Sequence, residues 1–153
     1  MRNRKLFLMF AFLSYLCTGT VQVQVPLFIW PVEEGKFWLS SYFGPRKKPN
    51  GQSGFHNGID MAALKGTRVS AAAEGTVLEA YSDTGYGKTI VIQHDGPYKT
   101  RYAHLDKIRV VKGQRVIKGQ WIGDVGATGN VRTVGKDPSH LHFEVYENNQ
   151  RVN

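Results

Sequence analysis

Four of the chain's histidines and one aspartate fall in three short blocks: Phe55-His56-Asn57-Gly58-Ile59-Asp60, Tyr102-Ala103-His104-Leu105 and His140-Leu141-His142-Phe143-Glu144. Imidazole and carboxylate are the side chains that bind zinc and move protons at neutral pH. A catalytic zinc commonly takes three protein ligands and keeps one position for water, so five such residues suffice for a ligand set and two free side chains. Bound zinc lowers the pKa of its water towards about 7 and polarises a carbonyl. A neighbouring imidazole can orient or deprotonate that water and pass a proton to a leaving nitrogen, and another can stabilise the oxyanion. If the fold joins the blocks, the chemistry is zinc-dependent hydrolysis.

Each block is ambiguous alone. His56 and Asp60 are four apart, one helical turn, but Gly58 and the β-type surroundings favour a loop that curls until both reach one point. Strand alternation puts His140 and His142 on one face, so one can bind metal while its neighbour reaches the water. Spacing does not say which. Glu144 shares that face, either behind a ligand or, as the preferred reading, in a cross-strand pair. His104 ends a strand, with Tyr102 on its face by the same alternation. The fifth histidine, His94, lies beside Asp95 at a hairpin turn and reads as structural or solvent-facing.

The elements that must position these residues are strands. From Leu27 onward the pattern is β throughout, and no segment carries a helical amphipathic repeat. Phe37–Phe43 is an aromatic-rich stretch, followed by a polar loop at Arg46–Gly54 directly before the first block. Arg68–Tyr81 has strand character around Gly75. Lys88–His94 and Lys99–Leu105 flank Asp95-Gly96-Pro97 as a hairpin. Val110–Val116, Gln120–Val125 and His140–Tyr146 are further strands, and Asp83–Gly87 is a turn. Gly126–Ser139 is a long irregular stretch running into His140, of the kind that forms binding loops. Gly66-Thr67-Arg68-Val69 is echoed by Gly113-Gln114-Arg115-Val116, each followed by a Gly-x-Val (Gly75 and Val77, Gly123 and Val125), which suggests two similar hairpin units or chance.

The 153 residues suit one domain, and 41% hydrophobic against 21% charged residues is the composition of a globular chain rather than a disordered one. Arg2, Arg4 and Lys5 precede an apolar run from Leu6 to Cys17, which reads as an export signal over residues 1–19 and is too short for a spanning helix. An uncleaved anchor and lipidation at Cys17 are the alternatives. Residues 20–36 then form a lead-in, with Thr20–Pro26 exposed or frayed, and 37–153 the catalytic domain. Cys17 is the sole cysteine, so the fold rests on its core rather than on a disulfide. The net charge of +8 falls to about +5 without the leader's three basic residues (17 Lys+Arg against 12 Asp+Glu), which favours anionic wall polymers or membrane surfaces or serves solubility alone. No basic run interleaved with aromatics points to nucleic acid.

Together the blocks resemble the lysostaphin-like zinc endopeptidases, which cleave peptide cross-links of bacterial cell walls. The resemblance runs from about Gly44 to Tyr146 and rests on F-H-N-G-I-D-M-A-A (Phe55–Ala63), G-T-R-V-S-A-A-A-E-G-T-V (Gly66–Val77), G-Y-G-K-T-I-V-I-Q-H (Gly85–His94), Y-A-H-L (Tyr102–Leu105), the run from Val111 to Gly129, and H-L-H-F-E-V (His140–Val145). It implies an all-β, glycine-rich fold of the duplicated hybrid motif or barrel-sandwich hybrid kind. It implies that His56, Asp60 and His142 bind one zinc ion, with His104 and His140 as the non-ligand catalytic histidines. The implied activity is hydrolysis of a D-Ala–diamino acid cross-link of peptidoglycan in the periplasm or cell envelope, in company with envelope regulators. Two features depart from the family pattern. Pro138-Ser139 stands where Gly-Pro or Pro-Pro often precedes the H-L-H block, and Gly126–Ser139 is longer than usual. Some relatives have lost ligands and act as scaffolds that activate other wall hydrolases, and a cytoplasmic sugar-phosphocarrier domain shares the fold. Five intact positions argue against the first alternative, and the leader with H-x-x-x-D argues against the second.

Overall fold

Short β-branched and aromatic runs punctuated by glycine turns give strands and little else. A computed structural model describes residues 27–47, 51–131 and 137–152, and every regular element among them is a strand. The expected leader at 1–19, possible lipidation at Cys17 and the lead-in at Thr20–Pro26 lie outside the described residues. In chain order the strands are β1 (Trp38–Ser41), β2 (Gly44–Lys47), β3 (Ser53–His56), β4 (Ile59–Ala62), β5 (Arg68–Ser70), β6 (Gly75–Ser82), β7 (Lys88–Gln93), β8 (Tyr98–Leu105), β9 (Lys107–Ile108), β10 (Arg115–Val116), β11 (Trp121–Asp124), β12 (His140–Glu147) and β13 (Gln150–Val152).

The large sheet runs β1-β4-β12-β8-β7-β6-β10, with β13 also paired to β12; β5-β11-β9 form a second sheet and β2-β3 a hairpin. All pairings are antiparallel. Val69 and Ile122 of the second sheet join Met61, Ile90, Tyr102 and Leu141 of the large one in a single buried cluster. Within the span read as a lead-in, Val32 is wholly buried and Phe28 packs on the same cluster. The chain there is bonded by Ile29 N–H to the Ala72 carbonyl (2.9 Å) and by Ser70 N–H to the Pro31 carbonyl (2.8 Å).

Two expected boundaries shift. Val110–Val116 is a strand only at Arg115–Val116, because Val111–Gln114 closes a turn, with Gln114 N–H on the Val111 carbonyl at 3.1 Å and Gly113 at φ +85°. The polar loop at Arg46–Gly54 has paired ends: Arg46 lies opposite Gly54 and Lys47 opposite Ser53, so backbone pairing overrides the polar side chains.

The sequence echo corresponds to a reciprocal exchange. Gly66 N–H bonds to the Val125 carbonyl (2.8 Å) and Val125 N–H to the Thr67 carbonyl (2.8 Å). Gly113 N–H likewise bonds to the Val77 carbonyl (2.8 Å) and Val77 N–H to the Gln114 carbonyl (2.9 Å). Each turn of the repeat therefore grips the Gly-x-Val strand of the other repeat.

Candidate metal centre

β12 is the platform of the site. Its register pairs His142 with Asp60 on β4 at one side and with Ala103 on β8 at the other. Asn57 and Gly58 carry the chain from β3 in the hairpin to β4 in the large sheet, which brings His56 over Asp60. A Cβ on Gly58 would overlap the Phe143 carbonyl oxygen, so the close crossing over β12 needs glycine there.

His104 reaches the same place by a different device. Along β8, alternation would put it on the face of Tyr102, which is buried in the core against the ring of Phe143. His104 instead has φ +60°, and its N–H is bonded to the Tyr86 carbonyl at 2.8 Å. A left-handed residue in a strand reverses the alternation, so the expectation that Tyr102 shares its face fails. Such a conformation in a non-glycine residue is strained and persists only when its surroundings enforce it. The ring of His104 then lies 4.9 Å from that of His140 and 5.8 Å from that of His142, centre to centre.

Four imidazoles each have one nitrogen held by an acceptor. His56 Nδ1 donates to the Tyr42 carbonyl (2.9 Å), His104 Nδ1 to the Thr128 carbonyl (2.9 Å), His140 Nδ1 to the Pro138 carbonyl (2.9 Å) and His142 Nε2 to the Glu144 carboxylate (3.0 Å). Carbonyl and carboxylate oxygens only accept, so these nitrogens can donate; the opposite nitrogens of His56 and His142 face the Asp60 carboxylate, and with a metal ion rather than a proton between them they present lone pairs. His56 Nε2, His142 Nδ1 and Asp60 Oδ1 consequently face one another, at 3.1 Å between the imidazoles and 3.1 and 2.8 Å from the carboxylate to His56 and His142. At that range the three atoms need positive charge among them, either a proton that His142 Nδ1 donates to Asp60 Oδ1 or a bound cation. Two neutral imidazoles and one carboxylate are a zinc donor set, and bonds of about 2.0–2.1 Å at tetrahedral angles separate ligand atoms by about 3.3 Å. The residues fit the ion after widening by a few tenths of an ångström.

The electrostatics express the same demand. Burial opposes the charge on Asp60, yet the contacts with His142 and His56 outweigh it and hold the carboxyl well below its usual range. Burial pushes His142 down, but Asp60 and Glu144 more than compensate and raise it. His104 goes the other way: burial, aided by the charges of His140 and His142 and opposed by the Thr128 carbonyl, brings it down to about 4. It is neutral at pH 7 and able to accept a proton.

Glu144 stands behind His142. Its wholly buried carboxylate also accepts from Tyr86 Oη (2.9 Å), Arg101 Nη1 (3.0 Å), Arg151 Nε (3.2 Å) and the Tyr146 hydroxyl. The expected cross-strand pair exists, since Arg101 lies opposite Glu144 in register, and the support of His142 exists beside it. Tyr86, Thr128 and Arg151 were not legible as site residues: Tyr86 and Thr128 sit in turn-like stretches, and Arg151 belongs to a terminal hairpin. Arg101 had no signal either, because its place opposite Glu144 depends on the pairing of β8 with β12. His94 is buried, bonded to the Glu74 carbonyl (2.7 Å) and Thr100 Oγ1 (2.7 Å), and takes the structural rather than the solvent-facing reading.

The cluster opens into a groove of about 730 Å³, whose lining includes Trp38, Phe55, Arg46, His104, Asn130 and Pro138. Residues 132–136, within the expected binding loop, lie outside the described residues.

An all-β domain with a convergent His-Asp-His triad and two further groove histidines has the features of a metallopeptidase. The chain belongs to peptidase family M23, whose model matches residues 54–153. It is 42% identical over 125 residues to the peptidoglycan DD-endopeptidase ShyB of Vibrio cholerae, covering 80% of this chain and 28% of that protein. It is 39% identical over 101 residues to the murein hydrolase activator NlpD of Salmonella dublin, covering 65% of this chain and 25% of that one. A zinc-containing peptidase from Vibrio cholerae superposes with a TM-score of 0.75 at 42% identity, over 83% of this chain and 39% of that chain. The chain thus spans little more than a quarter of the length of the curated relatives it matches.

Proposed function

We propose that this chain is an exported zinc metalloendopeptidase that hydrolyses peptide cross-links of bacterial peptidoglycan, with the D-Ala–diamino acid amide as its bond and one zinc per chain. The observation that carries the reading is the convergence of three ligand atoms, from His56, Asp60 and His142, in a groove that two further histidines line. The names of the relatives supply the substrate class. Residues 1–19 serve as export signal or anchor, 20–36 as lead-in and 37–153 as the catalytic domain, in the periplasm or cell envelope.

In this reading His56, Asp60 and His142 hold the ion, which when bound supplies Lewis-acid polarisation of a carbonyl and acidification of water. His104 and His140 position the attacking water and stabilise the transition state. The Thr128 carbonyl fixes the tautomer of His104, leaving Nε2 to take a proton from water and return it to the leaving nitrogen. The Pro138 carbonyl does the same for His140, whose Nε2 lies 3.9 Å from Asp60 Oδ1 and beside the His104 ring.

Mass spectrometry of peptides released from purified peptidoglycan tests the reading and names the bond from the new termini. Wild type releases them; chelator and His142→Ala abolish release, and activity surviving both overturns the metal mechanism. His104→Ala keeps zinc and loses turnover, whereas Asp60→Ala weakens zinc binding. Loss of metal from His104→Ala would make His104 a ligand rather than a catalytic base. The match to a protein named a murein hydrolase activator favours a second reading, a non-catalytic wall scaffold. Metal analysis separates the two, since that reading needs neither bound zinc nor turnover.

A further inference from the structure

Arg46, on β2, lines the same groove and takes no part in the chemistry above. Among the described lining residues it is the sole lysine or arginine. Its side chain is exposed, and Nη1 donates to Ser41 Oγ at 3.0 Å. Ser41 Oγ in turn lies 3.2 Å from His56 Nδ1. The guanidinium is thereby tied to the outer edge of the His56 ring, whose far nitrogen faces Asp60 and His142. Four basic side chains elsewhere in the domain are committed to carboxylates: Arg101 and Arg151 to Glu144, Arg109 to Asp124, Lys65 to Asp106. Arg46 has no such ion pair among the described residues. A guanidinium carries five N–H donors in a fixed fork, and one of them is used by Ser41.

We propose that Arg46 is a specificity residue that binds a free carboxylate of the substrate beside the scissile amide. The proposal rests on the peptidase reading and deepens it. A carboxylate on the carbon that bears the scissile nitrogen lies a few bonds from the reacting carbonyl, which matches a guanidinium one imidazole away from the triad. A planar fork recognises a carboxylate in bidentate fashion, and the bond to Ser41 pre-orients it. The substrate class is then a cross-link whose amine side is an α-amino acid centre, as in a diaminopimelate. A lysine side-chain amine has no carboxylate there, and an amidated diamino acid has an uncharged one.

Two synthetic cross-linked peptides test this, identical except that the carboxyl next to the scissile nitrogen is free in one and carboxamide in the other. Arg46 is on the surface, so its replacement is expected to leave folding intact. Wild type should favour the free carboxylate in kcat/KM by about ten- to a hundredfold, the range of a hydrogen-bonded charge pair. Arg46→Gln should lower kcat/KM for the carboxylate peptide, mainly through KM, and bring the ratio between peptides to about one. Arg46→Lys, which keeps the charge but loses the fork, should fall between. Equal loss on both peptides together with weaker zinc binding would mean that Arg46 acts only through Ser41 and His56, and would overturn the proposal. So would a wild type that cuts both peptides equally well. A zinc-loaded wild type that cuts neither overturns the peptidase reading itself, and this one with it.

Discussion

At the residue scale the site is a matter of tautomers. An imidazole ligates through whichever nitrogen its other hydrogen bond leaves free. His142 alone of the four presents Nδ1, because Glu144, two residues on along the same strand face, takes its Nε2 hydrogen. Burial pushes Glu144 up, but hydrogen bonds from His142 and Tyr146 and the charge of Arg101 outweigh it and bring it from an ordinary 4.5 down to about 2. Glu144→Gln can accept from His142 only through a neutral oxygen. It should weaken zinc binding about ten- to a hundredfold, as loss of a carboxylate behind a metal-bound histidine does, read by competition with a chelating dye. The stabilisation that Glu144 contributes is complete above its unfolded pKa and is lost as pH falls from about 4.5 towards 2. The acid limb of the wild-type unfolding curve should therefore be steeper there than that of Glu144→Gln in the zinc-free proteins. The block H-L-H-F-E places Glu144 on the correct face, but not the two tyrosines and two arginines that converge on it from β8, β12, β13 and the turn before β7.

At the element scale, three breaks in regularity do the positioning. Gly58 lets the link between β3 and β4 cross β12 at contact distance. The positive φ of His104 turns its side chain from the core face to the groove face. A Cβ on Gly87 would strike the backbone of Thr128, whose carbonyl orients His104, and a Cβ on Gly129 would strike the backbone of Gly87 and Gly85. Gly58→Ala should destabilise the domain by about 1–3 kcal/mol, the range for overpacking at a site that cannot relax, measured by urea unfolding. It should also weaken zinc binding, because His56 and Asp60 sit on either side of the displaced link. A stable variant with full zinc affinity would show that the crossing relaxes freely. The strands themselves were largely legible from alternation and turn residues. The shortened strand at Arg115–Val116 and the paired ends of the Arg46–Gly54 loop were not, since both depend on which backbone lies alongside.

At the scale of the whole molecule, the reciprocal turns explain how a chain without a regular repeat closes on itself: each half supplies the turn that clasps the other half's strand, and the core forms between them. The basic excess belongs to this scale too. Binding of the zinc-loaded protein to isolated cell walls, followed by co-sedimentation, should weaken as salt rises and the screening length falls below about 10 Å. Binding independent of salt would count against a role for net charge. By itself the sequence determined the all-β character, the order of most strands and the five residues of the site, because alternation, turn chemistry and residue type are local properties written into neighbouring positions. The roles proposed for those five rest on resemblance rather than on spacing. Only the tertiary structure decided that His56, Asp60 and His142 bring their ligand atoms to one point, that His104 faces the groove rather than the core, and that Arg46 stands in the groove with no ion pair among the described residues. Each of these depends on a contact between residues far apart in the chain, such as Gly58 against β12 or Thr128 against His104. Contacts of that kind are set by the packing of whole strands, which no single stretch of sequence contains.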